Sequence, residues 1–320
     1  DKAMQVEAVP TWDLGPKDVL VLNMAAGVNY NGVWASLGVP VSMFDVHGHD
    51  FHVAGSDASG IVWAVGKDVK NWKVGDEVVV HCNMTDGDDE ECNGGDPMYS
   101  NTQKIWGYET PDGSFAQFSR VQAQQLMPRP QHLTWEESAC YTLTLATAYR
   151  MLFGHMPHEV KPGQNVLVWG ASGGLGVFAV QLIKAAGANA IGVISDESKR
   201  DYVMSLGAKG VINRKDFNCW GQLPTVNSDE YGKWFGEVRK FGKAIWDITG
   251  KGVNVDMVFE HPGEATFPGH RLLLNPRLER RAEVPSAAVH RQCLRHSNRD
   301  AIALRRCRDH LRCSCRHLWC

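Results

Sequence analysis

The stretch that most constrains this chain is the apolar run Val166-Leu167-Val168-Trp169, followed by Gly170-Ala171-Ser172-Gly173-Gly174-Leu175-Gly176. An uninterrupted apolar run of this length is what a parallel strand buried on both faces requires. Glycines in the turn let the backbone approach a pyrophosphate closely. The helix that follows offers free N–H groups and the positive end of its dipole to the phosphates. The pattern then alternates, with a helix over 175–186, a strand over 190–195, a helix over 197–206, a short strand at 211–212 and a further strand over 255–260. A βαβ pattern on both sides of the turn favours a dinucleotide site over a plain strand–helix connection. Gly170, Ser172, Gly173, Gly174, Leu175 and Gly176 are the expected phosphate-binding residues.

The end of the second strand of such a unit reads the cofactor type. An acid there bonds the 2′-hydroxyl of NAD, whereas a 2′-phosphate needs space and cations. Here the strand ends at Ser195, a small residue, with Lys199 and Arg200 within about one turn of it. These three residues favour NADPH. The competing reading gives Asp196 to the ribose and leaves Lys199 and Arg200 as a solvated helix face.

The preceding half of the chain is β-rich. Strands fit 19–24, 60–65 and 77–80, with Gly66, Gly75 and Asp76 as turn residues. An acidic, glycine-containing loop occupies 86–96. Thr134-Trp135-Glu136-Glu137 is a capping box, so a helix should begin there and lead to a second one at about 144–153. Over 229–248, Tyr231, Trp234, Phe235, Val238, Phe241 and Ile245 recur at helical spacing, as in an amphipathic helix docked on a sheet.

Composition narrows the classes. With 43% apolar residues and a net charge of −3, the chain reads as globular, with neither the basic excess of a nucleic-acid binder nor an apolar run of membrane-spanning length. No apolar signal segment opens it, so a cytoplasmic location is expected, although it begins mid-pattern, as if upstream residues were missing. The composition breaks near Pro268. Residues 1–270 carry 15 Lys and 6 Arg against 32 acids, a net of −11, whereas the last 50 carry 12 Arg and no Lys against 4 acids, a net of +8. Five of the nine Cys also fall there, and Gly, Phe and Tyr are absent. Residues 269–320 therefore read as the product of a shifted reading frame. The alternative is a genuine basic tail in which Cys313, Cys315, His310 and His317 hold a metal, at a spacing that fits no standard zinc pattern.

A β-rich unit followed by this loop resembles the medium-chain dehydrogenase/reductase superfamily. Only Cys82 and Cys92 lie where its zinc enzymes carry a four-cysteine lobe, and His47 and His49 lack a third ligand of the right spacing. No metal is expected, and His47, His49 and His52 read as loop histidines. The stretches 27–35, 52–60, 105–115 and 146–152 are more specific, and with them residues 3–268 look like crotonyl-CoA carboxylase/reductase. That resemblance implies an α/β fold: a GroES-like β-rich catalytic domain over 1–130, incomplete at both ends, and a doubly wound parallel Rossmann sheet over 131–268 that stops after its fourth strand. It also implies NADPH as cofactor, a crotonyl-CoA-type substrate and CO2 as partners, and a homo-oligomer.

The implied reaction is hydride transfer to the β-carbon of crotonyl-CoA and attack of the enolate on CO2, giving ethylmalonyl-CoA. The family's CO2 pocket uses an Asn, an aromatic–Glu pair and a later His. The resemblance carries these roles to Asn31, with Asn29 as second choice, and to Tyr108 and Glu109, and finds no match for the His. A non-carboxylating enoyl-thioester or quinone reductase, and an inactive remnant, are the rival expectations.

Overall fold

A computed structural model of the chain describes residues 4–39, 41–154, 159–263 and 266. The chain divides into two compact units, Asp1–Ala146 and Thr147–Cys320. The expected stop of the Rossmann sheet after its fourth strand, and the reading of residues 269–320 as a frame-shifted tail, lie outside the described residues.

The first unit holds strands β1 (Asp18–Gly27), β2 (Asp57–Val65), β3 (Glu77–Val80), β4 (Asn83–Met84), β5 (Lys104–Ile105), β6 (Phe118–Gln122) and β7 (Leu126–Pro128), with short helices α1 (Tyr30–Leu37), α2 (Met43–His47) and α3 (Trp135–Ser138). Five strands form an antiparallel sheet in the order β6-β1-β2-β3-β7, and β4 pairs with β5 separately. Alternate residues face the core, where Val19 and Val21 of β1 meet Val62, Val78, Val121 and Trp106. This is the period-two burial of a sheet with one covered face.

The capping box forms as its sequence demands. Glu137 N donates to Thr134 Oγ1 at 3.2 Å, and Thr134 N donates to Glu137 Oε2 at 2.9 Å. Helix α3 stops after four residues, and α4 (Thr142–Phe153) begins two residues earlier than its apolar spacing suggests. Thr142 is held by the β-sheet, its one hydroxyl proton shared between Val80 O, at 2.9 Å, and the Asp57 carboxylate. Ser59 Oγ likewise donates to Trp135 O at 2.6 Å. These bonds tie residues 134–142 to the first unit, so the division falls at Ala146, past the boundary read at 130/131.

The second unit contains β8 (Asn165–Trp169), α5 (Gly174–Ala185), β9 (Asn189–Ile194), α6 (Arg200–Ser205), β10 (Gly210–Asn213), α7 (Asp229–Thr249) and β11 (Met257–Phe259). Its sheet runs β10-β9-β8-β11 with every pairing parallel. Every residue of β8 is buried. Val166 and Val168 pack with Ala179, Val180 and Ile183 of α5, whereas Leu167 and Trp169 pack with Trp234, Val238, Phe241 and Ile245 of α7. Helices cover both faces, which is why the strand carries no polar alternation. The segment read as one helix over 197–206 is a 3-10 turn at Glu197–Lys199 followed by α6. Asp196 caps that turn by accepting from Ser198 N at 3.0 Å.

Candidate active site

The glycine-rich turn joins β8 to α5 at the edge where β8 and β11 end side by side. Gly170 adopts φ 58, the left-handed region that glycine enters without steric cost. Gly176 is fixed by space instead. A Cβ there would lie 2.2 Å from Gly170 O and 2.6 Å from Ala171 Cα, so only hydrogen lets α5 seat against the turn. Gly173 caps α5 in an extended conformation and offers no side chain, and its own N–H donates to Gly170 O at 2.8 Å. The N–H groups of Gly174, Leu175 and Gly176 have no acceptor within the helix. Gly173 and Gly174 are exposed, and Ser172 and Leu175 are half-buried. Open backbone donors at a helix start, with no carboxylate of the turn competing for them, fit a dinucleotide pyrophosphate.

The end of β9 gives the second part of the site. Ser195 and Lys199 are exposed. Arg200 is engaged: its guanidinium pairs with the Glu197 carboxylate and NH1 donates to Val211 O at 2.6 Å. Asp196 is engaged too, accepting from Ser198 N and from Ser198 Oγ at 2.8 Å. Those hydrogen bonds hold its carboxyl below the usual range, helped by the charges of Lys215 and Lys199. Lys215, just past β10, brings a cation to this corner that the reading of 195–200 did not include.

In the first unit the two candidate asparagines separate. Asn29 precedes α1 and donates through Nδ2 to Asp57 Oδ2 at 2.7 Å. Asn31 is the second residue of α1, half-buried, and its side chain has no hydrogen-bond partner among the described residues. Tyr108 Oη donates to Val39 O at 3.2 Å, joining the 105–115 segment to the chain leaving α1. Burial, with the charge of Glu109 beside it, raises the Tyr108 hydroxyl pKa. Glu109 closes its own turn twice: Ile105 N donates to Oε2 at 2.8 Å, and Glu109 N donates to Ile105 O at 2.8 Å.

Asp57 was not singled out from the sequence. It is fully buried and accepts from Thr142 Oγ1, from Leu143 N at 2.9 Å and from Asn29. Burial pushes its carboxyl up to about 6, against the opposing effect of those three donors. An acid opening the otherwise apolar and small-residue strand β2 was the available signal. His47 Nε2 and His52 Nδ1 are 3.2 Å apart with stacked rings, and burial lowers the His52 pKa to about 4. Among the described residues no group of three or more His, Cys, Asp or Glu is arranged to hold a metal ion.

Two known domain families match this chain: the alcohol dehydrogenase GroES-like domain over residues 15–131 and the zinc-binding dehydrogenase domain over 174–277. The fold and site thus define a medium-chain dehydrogenase/reductase. A crotonyl-CoA carboxylase/reductase of Cereibacter sphaeroides is 78% identical over 274 residues, 86% of this chain and 64% of that protein. A crotonyl-CoA reductase of Streptomyces avermitilis is 41% identical over 83% of this chain and 61% of that protein. A solved crotonyl-CoA carboxylase/reductase, AntE in complex with NADP, superposes with a TM-score of 0.78 at 45% identity, covering 83% of this chain and 67% of that one. The chain belongs to the crotonyl-CoA carboxylase/reductase family. It spans a little under two thirds of the length of these curated relatives.

Proposed function

We propose that this chain carries the catalytic framework of an NADPH-dependent enoyl-CoA carboxylase/reductase. The observation that carries the reading is the open start of α5, free of any side-chain cap, at the parallel-sheet edge, in a chain 78% identical to a crotonyl-CoA carboxylase/reductase. Bound NADPH supplies the hydride for the β-carbon of a crotonyl-CoA-type substrate. The remaining roles belong to the protein. Gly174, Leu175 and Gly176 hold the pyrophosphate through backbone N–H groups, with Gly170, Ser172 and Gly173 shaping the turn. Ser195 leaves room for a 2′-phosphate, and Lys199 supplies charge. Arg200 supports that corner through Glu197 and the β10 backbone. Asn31, whose amide has no partner among the described residues, is assigned to meet CO2 at the enolate α-carbon, with Tyr108 and Glu109 as the aromatic–Glu pair of the CO2 pocket. A small apolar molecule with polar ends needs a few placed donors in a dry site. A homo-oligomer in the cytoplasm completes the proposal.

The Streptomyces relative is named a reductase alone, which keeps simple reduction as a second reading. NADPH consumption with crotonyl-CoA, with and without bicarbonate, separates the two. The proposal expects bicarbonate to stimulate consumption and to yield a dicarboxylic acyl-CoA. Butyryl-CoA as sole product under both conditions assigns the chain to reduction, and no consumption under either removes the enzymatic reading.

A further inference from the structure

His261 follows β11, and Phe259 of β11 lies opposite Val168 of β8 in parallel register. The residues after the two strands therefore leave the sheet side by side, at the switch point where ligands of such sheets bind. There the imidazole rests on the glycine-rich turn. A Cβ built on Gly170 would lie 2.7 Å from His261 Nε2 and 3.1 Å from Cε1. The ring is hydrogen-bonded to the Trp169 backbone, and Phe259 meets it edge-on with centroids 6.4 Å apart. Glu260 fixes the segment that carries it, accepting from Gly263 N at 3.1 Å and Thr266 Oγ1 at 2.9 Å. Burial lowers the His261 pKa against the opposing charge of Glu260 and the bond to the Trp169 backbone.

We propose that His261 is a positioning residue for the dinucleotide: it clamps the first glycine of the turn and thereby keeps the α5 N–H groups aimed at the pyrophosphate. Gly170 sits at φ 58 without a side chain of its own to restrict it, so the imidazole adds to the restraint that the Gly173 N–H supplies at Gly170 O. The imidazole occupies the space a Cβ would need and holds the preceding residue as well. The inference rests on the dinucleotide reading of the turn.

The test compares two ligands on the full chain: NADPH, which spans the turn with its pyrophosphate, and adenosine 2′-monophosphate, which has no phosphate to place there. In His261→Ala the dissociation constant for NADPH should rise about tenfold, whereas that for adenosine 2′-monophosphate should stay within about twofold. The melting temperature of the ligand-free chain should move by no more than about 2 °C. His261→Gln, which keeps a donor for the Trp169 backbone, should regain most of the NADPH affinity. Unchanged NADPH affinity in His261→Ala overturns the inference. So does equal weakening of both ligands, or a large fall in melting temperature in both variants. If the unaltered chain binds neither ligand, the dinucleotide reading falls and the inference falls with it. If it binds both and His261→Ala matches it, only the inference falls.

Discussion

Asn29 donates its side-chain amide to the buried Asp57 carboxylate at 2.7 Å, and this bond decides what each of the two neighbouring asparagines does. Asn29 is spent on holding the entry to α1 against β2. Asn31, two residues on, keeps its amide free among the described residues. Removing Asn29 leaves a buried carboxylate short of a donor, which costs about 1–3 kcal/mol. Asn29→Ala should therefore lower stability in urea by that amount. Asn31→Ala should change stability by less than about 0.5 kcal/mol and lower instead the share of carboxylated product. A large stability loss from Asn31→Ala would reverse these assignments.

The same carboxylate makes stability depend on pH. Asp57 is raised to about 6 in the fold, from 3.8 in an open chain. A group raised on folding contributes fully below its unfolded value, and that contribution is lost as pH climbs through the folded value. Stability from this group should therefore fall between about pH 4 and pH 6.5, by roughly 2–3 kcal/mol. Asp57→Asn cannot ionise and should flatten that part of the curve. Urea unfolding of both proteins at pH 5 and pH 7.5 checks it, and parallel curves would count against the shift.

Gly176 and Gly173 should respond differently to alanine. The Gly176 methyl would meet the Gly170 carbonyl at 2.2 Å, a backbone atom that cannot step aside. The Gly173 methyl would meet the same oxygen at 3.3 Å. Gly176→Ala should cost about 1–3 kcal/mol in the ligand-free protein and remove dinucleotide binding, whereas Gly173→Ala should cost less than half as much. Thermal unfolding of the two variants is the measurement.

Lys199 and Arg200 should also separate, although both lie after the same strand. Lys199 is exposed, and Arg200 is committed to Glu197 and to Val211 O. Lys199→Ala should weaken NADPH about tenfold and leave NADH unchanged. Arg200→Ala should weaken both cofactors alike, because it loosens the β9–β10 corner without removing a phosphate contact. Fluorescence titration with the two cofactors resolves the cases.

Much of the second unit is legible in the sequence because its signals are local. Val166–Trp169 is apolar without a break because both faces of β8 are covered, and Tyr231 through Ile245 show the period of the single helix α7. Gly170 and Gly176 mark the turn because the first takes a left-handed φ and the second has no room for a Cβ. The first unit hides more. The partners of Asp57 come from residues 29, 142 and 143, so the apolar run after it in β2 is the one local sign of a buried acid and nothing near it announces what holds it. The commitment of Arg200 to Val211 depends on the pairing of β9 with β10, which spacing alone does not reveal. The division at Ala146 follows from Thr142 and Trp135 bonding to the sheet, contacts that a count of strands does not anticipate.

The proposed reaction is hydride transfer from NADPH to the β-carbon of an enoyl-CoA and capture of CO2 by the resulting enolate at its α-carbon. The most direct measurement is the mass of the acyl-CoA formed from crotonyl-CoA, NADPH and isotopically labelled bicarbonate. Ethylmalonyl-CoA carrying one labelled carboxyl group per NADPH consumed is the expected product. Unlabelled butyryl-CoA formed in the presence of saturating bicarbonate would contradict it.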